Sequence, residues 1–388
     1  MVFELKACNG NAPGVLIFSH KEYMLLFNRK SDNKYLKKLK KNFFIGVHWG
    51  ISVDKLIKSE LIDFHLSLPG LLPENIISNT EIINLTSRNF LSKEYKNYNS
   101  EKQYDVITIG RKVKMKRYLE FFLIIKKVME EKPDLKVMIV APEDEMPKKS
   151  TFDFLFEKNF NEIFSETEKK NITIYSGKKF LPRSEIVELL NKSKVFLFTS
   201  IREGVAKVTG EAALCGLKIL IFKNFRGNAV YGIDKDQYSL YENIDDCVSK
   251  LKNILSEKKL NNYQSKNLYE DESLLNLKSF LLKLYEDNSC EFDGIFESND
   301  LMRNLNSFNN TLPRNIVLGN SNDLKDNFSF LKYCNMKKVE VSFLDFILAY
   351  FLDLNLKLKE TLRRWKNLVP LVIWKMYRRK NQYKKLFK

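Results

Sequence analysis

The sequence predicts an α/β protein of two units, the second built on a doubly wound parallel sheet. Three observations predict it. From Asp105 onward, short β-branched apolar runs alternate with stretches of helical periodicity, and the links between them are short. Each such alternation needs a crossover, and crossovers join parallel strands. The 388 residues also suffice for two cores and exceed most single ones.

The elements follow in order. Asp105 to Ile109 is a strand ended by Gly110. Tyr118, Phe121, Phe122, Ile125, Val128 and Met129 recur at helical spacing until Pro133. Leu135 to Val140 forms a second strand, closed by Ala141-Pro142. A helix is expected over 151–167, then a strand at Ile172 to Tyr175. A further helix starts at Ser184, which can cap it while Glu185 and Glu188 favour its positive end. Val195 to Thr199 is a buried-type strand, 206–215 a helix ending near Gly216, and Lys218 to Phe222 another strand. Helices over 241–255 and 270–285 close this unit. In the first hundred residues, Val15 to Phe18, Phe43 to Val47 and Leu61 to Leu66 are strand-like. They predict a smaller α/β domain over 1–100, with a polar boundary at Lys93 to Tyr104. The second domain then covers 105–285, and 286–388 is an extension with a basic tail.

Composition narrows the class. Hydrophobic residues make 44% and charged residues 29%, an ordinary globular balance. Five scattered cysteines form no C-x-x-C, and no histidine completes a zinc pattern, so reduced thiols and no metal site are expected. Met1 to Gly14 has no apolar core of a signal peptide, and the most apolar late window, Val341 to Leu356, is broken by Asp345 and Asp353. A cytoplasmic protein is the expectation. Of the net charge of +17, ten positive charges follow Glu360 with no acid among them. Residues 361–388 also carry Trp365 and Trp374, so the tail reads either as an anchor on an anionic membrane face or as a packing helix with a solvated basic end. No nucleic-acid motif accompanies the charge.

In a parallel sheet, ligands bind beyond the carboxyl ends of the strands. The unusual residues cluster in the loops at that edge: Gly110-Arg111, Arg202-Glu203-Gly204 and Arg226-Gly227-Asn228. A sugar nucleotide presents a diphosphate, a ribose with paired hydroxyls, and a sugar rich in hydroxyls. Carboxylates accept strong bonds from hydroxyl pairs, and diphosphate calls for cations and a helix start. Residues 202–216 supply both carboxylate and helix start, with Glu203 in the loop before the helix, Gly204 permitting close approach, and Glu211 about two turns in.

Glu203-Gly204 followed by Glu211-Ala212-Ala-Leu-Cys-Gly216, with Gly110-Arg111 and Lys116 after the first strand, resembles the glycosyl transferases group 1 family, the retaining family-4 type of GT-B enzymes. The resemblance covers about 105–285. It implies a GT-B-like fold of two Rossmann-like lobes, the first one shortened here. It also implies Arg111 and Lys116 on the diphosphate, Glu203 on the donor sugar and Glu211 on the ribose. Gly110, Gly204, Val205, Arg226 and Gly227 would line the donor, although Arg226-Gly227-Asn228 equally suits a plain turn. The family also places a histidine near the donor sugar; His48 fits that place, and a packed structural histidine fits it as well. Gly10 to Gly14 is either an acceptor-side glycine loop or a turn. The implied activity is sugar transfer from a nucleoside diphosphate to a glycan or lipid-linked acceptor, with retention and without metal or other cofactor. The alternative is a degenerate nucleotide- or glycan-binding relative. Two departures from the family pattern, Lys194 for an acid and Leu217-Lys218 for a proline, touch the scaffold.

Overall fold

The computed structural model describes residues 2–5, 13–20, 33–50, 52–53, 60–77, 81–86, 89, 91–142, 151–177, 180–257 and 268–290. The basic tail, its membrane reading and most of the Gly10 to Gly14 loop lie outside the described residues.

Two parallel sheets organise the chain. The first contains β1 (Val2–Leu5), β2 (Gly14–Ser19), β3 (Phe43–His48), β4 (Phe64–Ser67) and β5 (Glu81–Asn84) in sequential order. Only β1 runs antiparallel. Helices α1 (Asn33–Lys40) and α2 (Glu74–Ile77) belong to its connections. β1 and β5 were not visible in the apolar pattern, and Leu61 and Ile62 are buried ahead of β4 instead of inside it.

The second sheet contains β6 (Tyr104–Ile109), β7 (Val137–Val140), β8 (Ile172–Tyr175), β9 (Ser193–Phe198), β11 (Lys218–Phe222) and β13 (Tyr238–Tyr241). Their spatial order is β13-β11-β9-β6-β7-β8, all parallel. Successive side chains enter opposite cores. Val106, Val137, Ile139, Val195, Leu197 and Leu220 join α3 (Tyr118–Glu131), α4 (Thr151–Ile163) and α8 (Ile244–Ser256). Ile107, Met138, Val140, Phe196, Phe198, Ile219 and Ile221 join α6 (Arg183–Asn191) and α7 (Lys207–Leu214). Period-two alternation into two covered faces is what a doubly wound sheet requires. The winding reverses between β6 and β9, which puts the switch point at the carboxyl ends of these two strands.

Some local expectations need correction. Helix α6 starts after Pro182, not at Ser184, and has no side-chain cap. The stretch 151–167 is two helices, because Ser165 opens α5 (Glu166–Lys169) with a capping box. Lys194, where the family pattern carries an acid, reaches across to Asp105 of the neighbouring strand at 2.8 Å. The polar boundary is packed, with Tyr95 buried and the Tyr98 amide donating to Asn191 at 2.7 Å.

The largest departure is α9 (Glu270–Asp287). Its range was assigned to the second unit, yet Leu277, Phe280, Leu281, Leu284 and Tyr285 pack on Val15, Ile17, Phe44, Phe64 and Leu66 of the first sheet. An amphipathic face shows in sequence that it will be covered, but not by which partner.

The first unit also buries two histidines. His65 accepts the Trp49 indole N–H on Nδ1 at 3.0 Å, and burial pushes its pKa down to about 4. Burial, with His20 adding to it, pushes His48 down to about 3. Both are neutral when folded and gain protons near 6.5 when unfolded. The unfolded chain therefore binds more protons between 6.5 and these values, and stability is lost as pH falls through that window. Each histidine contributes a slope of about 1.4 kcal/mol per pH unit there. Thermal melts at pH 7.5, 6 and 5 should fall progressively. In His65→Asn, the fall measured relative to its own melt at pH 7.5 should be shallower.

Candidate functional site

The loop after β6 is held from both sides. The Gly110 amide donates to Val140 O at 2.9 Å, and the Tyr118 hydroxyl donates to Gly110 O. A single 3-10 turn at Lys114–Lys116 then ends at Arg117, which is left-handed (φ 52°). The loop after β9 grips this turn: Thr199 Oγ1 donates to Lys116 O at 2.6 Å and the Ile201 amide to Met115 O at 3.0 Å. These bonds bring the Lys116 ammonium against Glu203 Oε1. Gly110 leaves the space for it, since a Cβ there would lie 2.8 Å from Lys116 Cε.

Lys116 is mostly buried. Desolvation, followed by the Arg111 charge, pushes its pKa down to about 8, while the contacting Glu203 carboxylate acts in the opposite sense. Its ammonium also lies 5.5 Å from the centre of the Phe198 ring. Arg111 is exposed at the mouth of the same loop.

Glu203 was expected in a loop; it sits in a short strand, β10 (Arg202–Val205), paired with β12 (Arg226–Asn228). The sequence Arg-Glu-Gly-Val carries no apolar alternation, so its strand character comes from the distant partner. Gly227 is obligatory at the crossing: its φ is +129°, and a Cβ would lie 1.7 Å from Glu203 O. The site residues Glu203, Gly204 and Gly227 are thus in backbone contact. Asn228 extends the ladder to the first unit, donating from Nδ2 to Pro69 O at 2.9 Å, while Arg202 donates to Ser52 O at 3.3 Å. Ser52 and Pro69 follow β3 and β4, so the carboxyl edges of the two sheets meet here.

Helix α7 starts after Ala206, beside Val205, with Thr209 Oγ1 donating to Ala206 O and Ala229 O. Glu211 follows about one turn into the helix, and burial, with the Glu211 charge next, pushes the pKa of the Tyr95 phenol up. Gly216 (φ +83°) ends the helix, with the Asn97 side chain filling the space of a Cβ.

His48 belongs to a second group, at the carboxyl edge of the first sheet. A Cβ on Gly50 would lie 3.6 Å from the His20 ring and 3.9 Å from the His48 ring, and Ser52 of the same loop carries the contact to Arg202. Three residues at the edge escaped sequence reasoning: Tyr95, Lys112 and Thr199. Lys112 is 1% exposed, with its ammonium 2.5 Å from Ser176 Oγ and 4.8 Å from the Phe156 ring centre. Nothing in a run of basic residues distinguishes the buried one.

An open parallel sheet with a cation and a carboxylate at its switch point is the α/β class that places a ligand site beyond the carboxyl ends of its strands. Comparison with known proteins makes this specific. Residues 92–271 match the family model of glycosyl transferases group 1. No curated protein matches the chain. Among solved structures, the GtfA/B complex superposes with a TM-score of 0.50 at 14% identity, over 66% of this chain and 56% of that one. The pneumococcal O-GlcNAc transferase GtfA with UDP and GlcNAc gives 0.49 at 15% identity, over 66% and 55%. Trehalose 6-phosphate synthase from Burkholderia multivorans gives 0.46 at 13%, over 66% and 67%. The chain spans little more than half the length of the first two. The fold is the GT-B-like α/β arrangement of two sheets. Among the described residues no helix is long and apolar enough to cross a membrane.

Proposed function

We propose that the chain is a glycosyltransferase that moves a sugar from a nucleoside diphosphate to a glycan or lipid-linked acceptor, with retention and without metal, in cell-surface glycan assembly. The observation that carries this reading is the Lys116–Glu203 pair, formed by the loop after β6 and the short strand β10 that follows β9, on either side of the switch point. Breaking the bond from sugar carbon to phosphate oxygen leaves charge on the diphosphate, and fixed cations there lower the barrier. Lys116 is the fixed cation and Arg111 the exposed one. A diphosphate bound here competes with Glu203 for the ammonium, which leaves the carboxylate to the sugar hydroxyls. Glu211 takes the ribose hydroxyls, and the backbone at Gly110, Gly204, Val205, Arg226 and Gly227 lines the donor. His48, neutral at physiological pH, faces the donor sugar from the first sheet as a hydrogen-bonding group. The place of action is the cytoplasmic face of a membrane, with residues 361–388 on the anionic surface.

A thermal-shift screen against UDP-, GDP-, ADP- and TDP-sugars tests donor binding. At least one should raise the melting temperature, and a flat response to all would sink the reading. Turnover should also depend on the Lys116 ammonium. Donor hydrolysis measured from pH 6.5 to 9.5 should lose kcat/KM above about pH 8, because the cation deprotonates there. A profile flat to pH 9.5 would remove Lys116 from the chemistry. The small first sheet, whose described strands lie between Val2 and Asn84, favours a second reading: a binding protein of the same fold without turnover. Donor binding with no nucleoside diphosphate released, for any acceptor, would select it.

A further inference from the structure

The turn that carries Lys116 ends in an unusual residue. Among the described residues only Asn99, Arg117 and Ser289 are left-handed without being glycine. Asparagine settles in that region readily through its short side chain, and arginine does not. Arg117 has φ 52° and ψ 48°; its amide donates to Lys114 O at 3.2 Å, and its carbonyl accepts the Phe121 amide at 3.1 Å. It is the corner at which the 3-10 turn stops and α3 begins.

The Arg117 side chain is braced at two points. Its guanidinium lies 4.2 Å from the centre of the Phe222 ring, at the carboxyl end of β11, and it pairs with Glu120. Glu120 in turn accepts the Tyr241 hydroxyl at 3.1 Å, at the carboxyl end of β13. A guanidinium over an aromatic face is attracted by the ring's electron density. Yet Arg117 Nη1 is buried with no hydrogen-bond partner. Glycine here would remove both the strained backbone and the orphaned nitrogen. Strain that persists where a simpler residue would relieve it points to a use.

We infer that Arg117 is a positioning residue for Lys116: its side chain, braced on Phe222 and Glu120, locks the corner that sets where the ammonium points. The inference rests on the diphosphate role proposed for Lys116. An ammonium on a flexible four-carbon stem holds one place only if the backbone beneath it is fixed, since every freed rotation dilutes the productive pose. Thr199 fixes the Lys116 carbonyl from the β9 side, and Arg117 fixes the next residue from the β11 side.

The test uses the full chain and whichever of UDP, GDP or ADP binds best, by calorimetry with melting temperature alongside. Arg117→Gly accepts the left-handed backbone without strain but loses the brace. It should melt near wild type and bind the diphosphate about tenfold more weakly. Arg117→Lys keeps a cation over the Phe222 ring and should recover most of that loss. In Lys116→Met, adding Arg117→Gly should weaken binding no further, because the brace acts only through the ammonium. Full affinity in Arg117→Gly, no recovery in Arg117→Lys, or an additive loss in the double variant would overturn the inference. If Arg117→Gly fails to fold, Phe222→Leu removes the ring beneath the guanidinium and should bring the same Lys116-dependent loss. Unchanged affinity there also overturns the idea. A wild type that binds none of the three nucleotides would instead defeat the donor reading, and this inference with it.

Discussion

Lys116→Met is expected to reduce donor turnover by about a hundred- to a thousandfold while leaving the fold intact, the scale observed for removing one preorganised charge-stabilising group. Methionine fills much of the same space against Gly110 and the Phe198 ring, so packing changes little. What is removed is the cation aimed at the leaving diphosphate. The partner change, Glu203→Ala, should reduce turnover on a comparable scale by releasing the donor sugar. Because the two side chains touch, the double variant should be far from additive. Release of nucleoside diphosphate, followed by a coupled assay with melting temperature as control, measures all three. A Lys116→Met protein with full turnover would show that the pair is scaffold only.

Gly227→Ala should be more damaging to the molecule as a whole. A methyl group 1.7 Å from Glu203 O cannot be accommodated without opening the β10–β12 pairing, and the positive φ adds strain of its own. Each of these effects costs on the order of 1–3 kcal/mol, so melting should fall by several degrees. The same rupture displaces Glu203 and frees Asn228 from Pro69, so donor affinity should fall with stability. Melting temperature and nucleotide affinity unchanged from wild type would mean that the crossing is looser than described.

Where the chain's own periodicity decides the outcome, the fold was legible. Lys218–Phe222 runs as expected because both its faces are covered, and Ile172–Tyr175 because its β-branched run is bounded by turn residues even though, at the sheet edge, Thr173 is exposed. β10 escaped because four residues of mixed polarity become a strand only through pairing with Arg226–Asn228, more than twenty positions away. β5 escaped because its four residues are partly exposed and carry no clear alternation. At the site, Gly110, Lys116, Glu203 and Gly227 could be proposed from type and spacing, and the structure does bring them together. Tyr95 and Lys112 could not, since nothing local separates a buried tyrosine or lysine from its exposed neighbours. Their placement is a tertiary fact.

The return of α9 to the first sheet has a consequence for how the molecule is made. The amino-terminal strands leave the ribosome with Val15, Ile17, Phe64 and Leu66 bare, and their cover is encoded only at Leu277 to Tyr285. At ordinary rates of synthesis that interval is on the order of ten seconds or more. The second unit, whose elements run from Tyr104 through Ser256 with Leu268 added to its core, can close while the first still waits. Nascent chains stalled before residue 270 should therefore hold one finished unit beside one adhesive sheet, the state in which a chaperone has most to protect.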